Sequence, residues 1–248
     1  MHSPISPPLA PADRDIARIA SSPTESVDRI TRSTAVWIEW APIAIAVSFM
    51  TLFSIRPFAR FSAWVVAENH PVEMLTFLSL FAAGVLALRL ATNRRWTKGD
   101  WWVTTLLALF AIGCLVTAME EIAWGQTFFH FDTPEFILER NDQDELTLHN
   151  LYGIEGKNSL LRLIWGIGGL IGIAAARWPR LRRIATPPVL LRWFVVIVIL
   201  AGFDVFVTFH GVGPRISLIN EQLTEVTEMM IGLGAFLYAW LCSRRTPG

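Results

Sequence analysis

Six apolar stretches, each near the ~20 residues that a helix needs to cross a bilayer, run through the chain and leave little room for another architecture. They are Val36–Ile55, Glu73–Leu90, Trp102–Glu121, Asn158–Ala176, Val189–Phe209 and Gln222–Cys242. Lipid offers backbone groups no hydrogen-bond partner, so these stretches are expected as helices. No strand-like alternation competes with that expectation. Composition agrees: hydrophobic residues make up 53% and mean hydropathy is +0.44, too apolar for an ordinary soluble domain of this size. The expected fold is all-α, a polytopic membrane helix bundle of about six transmembrane helices.

Residues 36–243 form that domain, with an outer loop at 122–157. Residues 1–35 read as a largely disordered tail rich in Pro and Ser. Within it, 13–30 has weak helical spacing suited to a membrane surface. No apolar core precedes the first span, so no signal peptide is expected.

Lys and Arg set the orientation. Fifteen of the 21 fall on one side: the tail, the loop near Arg94, Arg95 and Lys98, the loop from Arg177 to Arg192, and Arg244 with Arg245. Arg56, Arg60, Arg140, Lys157, Arg162 and Arg215 fall on the other. The basic side is expected to be cytoplasmic, with both termini inside. Trp37, Trp40, Trp96, Trp101, Trp102, Trp178, Trp193 and Trp240 cluster near that side, where an aromatic belt belongs. Formal net charge is zero, so charge implies no nucleic-acid partner; the bilayer is the expected partner. Cys114 and Cys242 fall at different depths, which speaks against a disulfide.

Acidic residues are biased the other way. Fifteen of 21 fall in the outer half, as do His70, His130, His149 and His210. In the loop, Asp132 to Glu155 read as a solvated acidic surface. Inside spans that reading is weaker, because an ionisable group at mid-depth costs about 2.5–3.5 kcal/mol on insertion scales and faces a cavity or a partner. Glu221, Glu225 and Glu228 follow i, i+4, i+7 spacing and share one helix face. Glu120 and Glu121 end the third span, Asp204 lies about a turn below the outer end of the fifth, and Glu73 with Thr76 opens the second. Four helices thus bring acids to one half of the bundle. Three ionised carboxylates on one face repel, so a bound cation, protonation, or partners such as Arg162, Arg215 and the histidines must compensate.

The segment 119–126 (MEEIAWGQ) is the sharpest local feature. Neighbouring glutamates point about 100° apart on a helix, so one can face a cavity while the other pairs elsewhere. Trp124, three residues past Glu121, is expected on the same face. In the loop, Thr133-Pro134-Glu135 reads as a helix start. Leu148-His149-Asn150 ends a polar run, and His149 is a candidate metal ligand or proton carrier. Gly166, Gly168, Gly169 and Gly172 in the fourth span read as close helix packing and not as a phosphate loop.

The run 120–126 (EEIAWGQ), with Thr133-Pro134-Glu135, Leu148-His149-Asn150 and the Glu73-to-Thr76 opening, resembles a group of uncharacterised bacterial multi-pass membrane proteins. That resemblance implies a bacterial inner membrane and carries no function. The chain is also weakly similar to the CAAX-protease and bacteriocin-processing membrane proteases. Glu120 and Glu121 match their paired glutamates, and Phe206 to His210 matches their FxxxH pattern. Gly125 stands at their arginine position, and no histidine follows His210.

Three functions compete on this reading. The first is a membrane-embedded hydrolase acting on a lipid, lipid-linked or peptide substrate at the outer leaflet. Its candidate catalytic residues are Glu120, Glu121, His149 and Glu225, with Glu121 or Glu225 as general base. Glu121, His149, His210, Glu221, Glu225 and Glu228 are its candidate ligands for a divalent metal such as Zn or Mg. The second is a proton- or cation-coupled transporter using the Glu221, Glu225, Glu228 ladder. The third is a non-enzymatic subunit or scaffold.

Overall fold

The computed structural model describes residues 30–129, 131–135, 147 and 158–245. The expected tail lies almost wholly outside the described residues, as do His149 and most of the outer loop. Six long helices follow one another: α1 (Arg32–Ser54), α2 (Pro71–Thr92), α3 (Trp101–Glu121), α4 (Asn158–Ala174), α5 (Leu191–His210) and α6 (Pro214–Ser243). Each is long and apolar enough to cross a membrane, and no strand occurs among the described residues. The chain is an integral, multi-pass membrane protein.

The helix starts are written locally. Thr31 Oγ1 accepts from the Thr34 N–H at 3.2 Å and caps α1. Pro71 and Pro214 occupy the first turns of α2 and α6, where a missing N–H costs nothing. The Glu73 carboxylate reaches back and accepts from the Asn69 N–H, closing the turn before α2.

α6 is the hub. It packs against α2, α5, α1 and α4, while α3 packs on α2 and α4 on α5. Val226, Met230 and Ala235 on α6 are fully buried. Outward faces carry large apolar side chains such as Leu109, Ile164, Ile199 and Phe209, as a lipid-facing surface requires. Close backbone contact between α3 and α4 is slight, which leaves a seam between them.

The glycines of α4 divide into two kinds. A Cβ on Gly166 would lie 2.9 Å from Val198, and one on Gly169 would lie 2.0 Å from the Phe194 ring. These two let α4 lie close on α5. A Cβ on Gly172 would lie 2.3 Å from Thr186 Oγ1, just before α5. Gly168 is different: a Cβ there meets open space, so the packing expected of it is not its role.

The two ends of the bundle contrast. At the basic end, Arg245 donates to the carbonyls of Arg183 at 2.6 Å and Ala185 at 2.8 Å. Arg183 donates to the Thr97 carbonyl at 2.7 Å, and Tyr238 Oη donates to the Ile184 carbonyl at 2.7 Å. Two of the expected belt tryptophans serve here instead. Trp96 and Trp193 are buried, and their indole N–H groups donate to the carbonyls of Cys242 at 3.3 Å and Ile38 at 2.8 Å. Both found backbone acceptors inside the bundle, which lets an indole be buried whole. Trp37, Trp40, Trp101 and Trp178 remain exposed, as a belt requires. Cys114 and Cys242 are separate buried thiols.

α6 starts eight residues earlier than its apolar stretch. Its 30 residues span about 45 Å at ~1.5 Å per residue, more than the ~30 Å hydrocarbon core. The extra polar turns stand at the acid-rich end, and Glu225 and Glu228 follow the exposed Glu221 deeper into the bundle.

Candidate acidic cavity

The seam between the two halves of the bundle widens at the acid-rich end into a cavity of 1160 Å³. Seven glutamates line it: Glu68 before α2, Glu73 in its first turn, Glu120 and Glu121 at the end of α3, and Glu221, Glu225 and Glu228 along α6. Arg162 of α4 is the sole cation among the described lining residues. Leu80, Phe110, Leu161, Trp165 and Ile231 supply apolar wall. Leu80 and Cys114 of this wall belong to an apolar cluster with Ala83, Ala118, Ala235 and Ala239, and toward the basic end Leu90, Trp96, Val103, Leu107 and Cys242 form another.

The i, i+4, i+7 face of α6 is confirmed as a shared face: Glu221, Glu225 and Glu228 all line the cavity. Glu221 is exposed at the mouth, while Glu225 and Glu228 are partly buried.

Arg162 anchors the floor side. Its Nη2 donates to Asp204 Oδ2 at 2.8 Å, and its Nη1 donates to Glu228 Oε1. Asn220 Nδ2 donates to Asp204 Oδ1 at 2.9 Å. One guanidinium thus joins α4 to α5 and α6, with two carboxylates already on it. Charge-assisted pairs of this kind are geometrically selective and hold their partners in place. Arg215, the other basic candidate, is exposed on the first turn of α6 and does not line the cavity.

The segment after α3 does not continue the helix. Ala123, Trp124 and Gly125 have φ of 43°, 55° and 89°, a left-handed turn. Trp124 therefore leaves the Glu121 face expected for it and turns back, its Nε1 donating to Glu120 Oε1 at 2.6 Å. Past the turn, Gln126 Nε2 donates to Thr133 Oγ1 at 2.8 Å and ties the segment to the Thr133-Pro134-Glu135 run. The two neighbouring glutamates thus divide roles: Glu120 is held by Trp124, while Glu121 is left to the cavity.

Glu121 and Glu225 are the two lining carboxylates of the membrane interior that no hydrogen bond or ion pair joins to another described residue. They come from different helices and lie within electrostatic range of each other and of Glu73, Glu228 and Arg162. Glu121, Glu225, Glu221 and Glu228 are thereby brought to one chamber. His210 is not. It is exposed at the end of α5, its ring stacked on Phe206 at 4.4 Å and its Nδ1 3.0 Å from the Phe206 carbonyl. Among the described residues, no three His, Cys, Asp or Glu side chains converge closely enough to hold a metal ion. The glutamates are spread along the cavity wall.

Several residues here carried no sequence signal. Asn220 and Thr117 are polar, but only the register of α6 on α5 and the open face of α3 give them a role. Gly113, on that face, meets open space where a Cβ would stand.

No family model matches the chain, and no curated protein or solved structure matches it.

Proposed function

We propose that this protein is a membrane-embedded hydrolase whose acid–base pair is Glu121 and Glu225, working in a chamber that opens on the extracytoplasmic side. The observation that carries the reading is the pair itself. Two carboxylates from separate helices share a roomy, half-sheltered cavity and have no internal partner among the described residues, while the nearby guanidinium is occupied by Asp204 and Glu228. A partly buried ionisable group without a structural partner inside a membrane bundle is costly, and such groups concentrate where chemistry uses them.

The step needs one carboxylate ionised and the other protonated. The ionised member takes a proton from water as the water oxygen bonds to the carbonyl carbon of an ester or amide. The protonated member then gives its proton to the leaving oxygen or nitrogen as that bond breaks. The pair ends with its one proton exchanged between the two members, and water in the chamber returns it. Arg162, fixed by its two carboxylates, holds the chamber's geometry and offsets part of its negative charge.

The uncharged seam below the chamber favours this reading over transport. A carrier needs ionisable or polar groups along a route to the other side, and the described lining of the deeper cavity carries no charged side chain. The basic-end orientation supports an extracytoplasmic mouth.

Incubation of the purified protein with a total membrane-lipid extract, followed by mass spectrometry of the lipids, tests the proposal. The native protein should deplete at least one ester- or amide-bearing lipid and release its hydrolysis products. Glu121→Gln and Glu225→Gln, shown folded by their melting curves, should not. Identical lipid profiles for native protein and both variants would remove the hydrolase reading.

A further inference from the structure

A second, smaller cavity of 280 Å³ lies deeper in the same seam. It is lined by Leu107 of α3, Gly168 of α4, Phe194 of α5 and Ala235 of α6, among others. Phe110 and Trp165 line both cavities, so the two meet at that pair. The upper chamber carries the carboxylates; the lower groove carries no charged side chain among its described lining. Close backbone contact between α3 and α4 is slight, and in a spanning bundle what lies outside the seam between them is lipid.

Two glycines sharpen the picture. Glycine inside a helix costs roughly 0.5–1 kcal/mol relative to alanine, and close packing is its common compensation in membrane helices. Gly166 and Gly169 have that compensation. Gly113 and Gly168 do not: a Cβ on either meets nothing within 4 Å. Gly113 lines the chamber from α3 and Gly168 lines the groove from α4. Neither puts a side chain into the open space at its depth.

Taking the chamber to be the reactive site, as proposed above, we infer that its substrate is an amphiphile with a cationic, ammonium-type headgroup, admitted sideways from the bilayer between α3 and α4. The headgroup enters the carboxylate chamber and the alkyl chain passes Phe110 and Trp165 into the groove. Charge complementarity selects the head: Glu121 and Glu225 have no hydrogen bond or ion pair among the described residues, and the one described lining arginine is already paired. Glu121, partly buried in the chamber wall and without a hydrogen bond among the described residues, is a ready acceptor for it. The apolar groove selects the chain.

The full-length protein in nanodiscs of neutral lipid tests this with a spin-labelled hexadecyltrimethylammonium, read as the immobilised fraction of the label. Tetramethylammonium serves as a chainless competitor, and a spin-labelled hexadecyl sulfate as the reversed charge. The native protein should immobilise the cationic probe and not the sulfate, and tetramethylammonium should compete. Gly168→Phe fills open space and should fold. It should weaken binding of the long-chain probe by about tenfold or more, which is ~1.4 kcal/mol, and leave tetramethylammonium binding unchanged. Glu225→Gln should weaken both. Unchanged long-chain binding in Gly168→Phe would overturn the groove while leaving the chamber intact. Equal capture of the sulfate, or indifference of both cations to Glu225→Gln, would overturn the cationic headgroup. Retained binding with no lipid depleted by the native protein would instead count against the hydrolase alone.

Discussion

Arg162 and Asp204 stand 2.8 Å apart across the interface of α4 and α5, and the same guanidinium donates to Glu228 on α6. This three-helix tie is the only contact of its kind among the described residues of the bundle's interior. It fixes the floor of the acidic chamber while leaving Glu121 and Glu225 outside the network.

Breaking a buried pair by removing one partner costs about 3–5 kcal/mol, because the other charge is left uncompensated. Arg162→Met strands two carboxylates at once, whereas Asp204→Asn strands none and keeps an acceptor. Thermal unfolding in detergent should therefore show a large loss for Arg162→Met and a much smaller one for Asp204→Asn. Equal, small losses would mean the tie contributes little.

The left-handed turn after α3 makes a second prediction. A non-glycine residue in that region costs roughly 1–2 kcal/mol. Ala123→Gly should raise the melting temperature, and Gly125→Ala should lower it, since φ is 89° and the new Cβ would also crowd Phe129 at 3.1 Å. Trp124→Phe keeps the ring and removes the Nε1 donor to Glu120. Its loss should be about 1.5–3 kcal/mol, the range for a hydrogen bond to a charged group. Circular-dichroism melts of the three variants check the signs.

Much of the fold was legible in the sequence because bilayer thickness enforces it. The six apolar stretches and the six helices agree in number and, except at α6, in bounds to within a few residues. α6 begins earlier because Pro214 to Asn220 is a polar amphipathic turn, and hydropathy finds the membrane-buried part of a helix and not its projection. The face shared by Glu221, Glu225 and Glu228 was equally legible, since 3.6-residue periodicity alone sets it. The partner of Trp124 was not. Helical spacing put it beside Glu121, but the chain leaves the helix at Ile122, where φ is −113° and ψ 23°. Nor could spacing separate Gly168 from Gly169. Only the approach of Phe194 does that.

Those two glycines offer a matched test of packing. Gly169→Ala places a Cβ 2.0 Å from the Phe194 ring and should destabilise by about 1–3 kcal/mol, as overpacking does. Gly168→Ala meets open space and should be neutral or stabilising by up to about 1 kcal/mol, the gain in helix propensity. Melting curves that ranked the two the other way would contradict the seam.

The orientation is checked by cysteine labelling of intact cells. Glu221→Cys, exposed at the chamber mouth, should react with a membrane-impermeant maleimide from outside in a background lacking Cys114 and Cys242. Arg94→Cys, exposed at the basic end, should react only after the cells are opened. The reverse pattern would place the chamber on the cytoplasmic side.

The most direct test of the acid–base pair is a double-mutant cycle on lipid hydrolysis with Glu121→Gln, Glu225→Gln and the double variant. Residues that act as one unit are grossly non-additive in rate. The pair therefore predicts that each single change abolishes turnover almost as fully as both together, with all variants folded. Independent, additive effects, or a single change that leaves turnover intact, would contradict it.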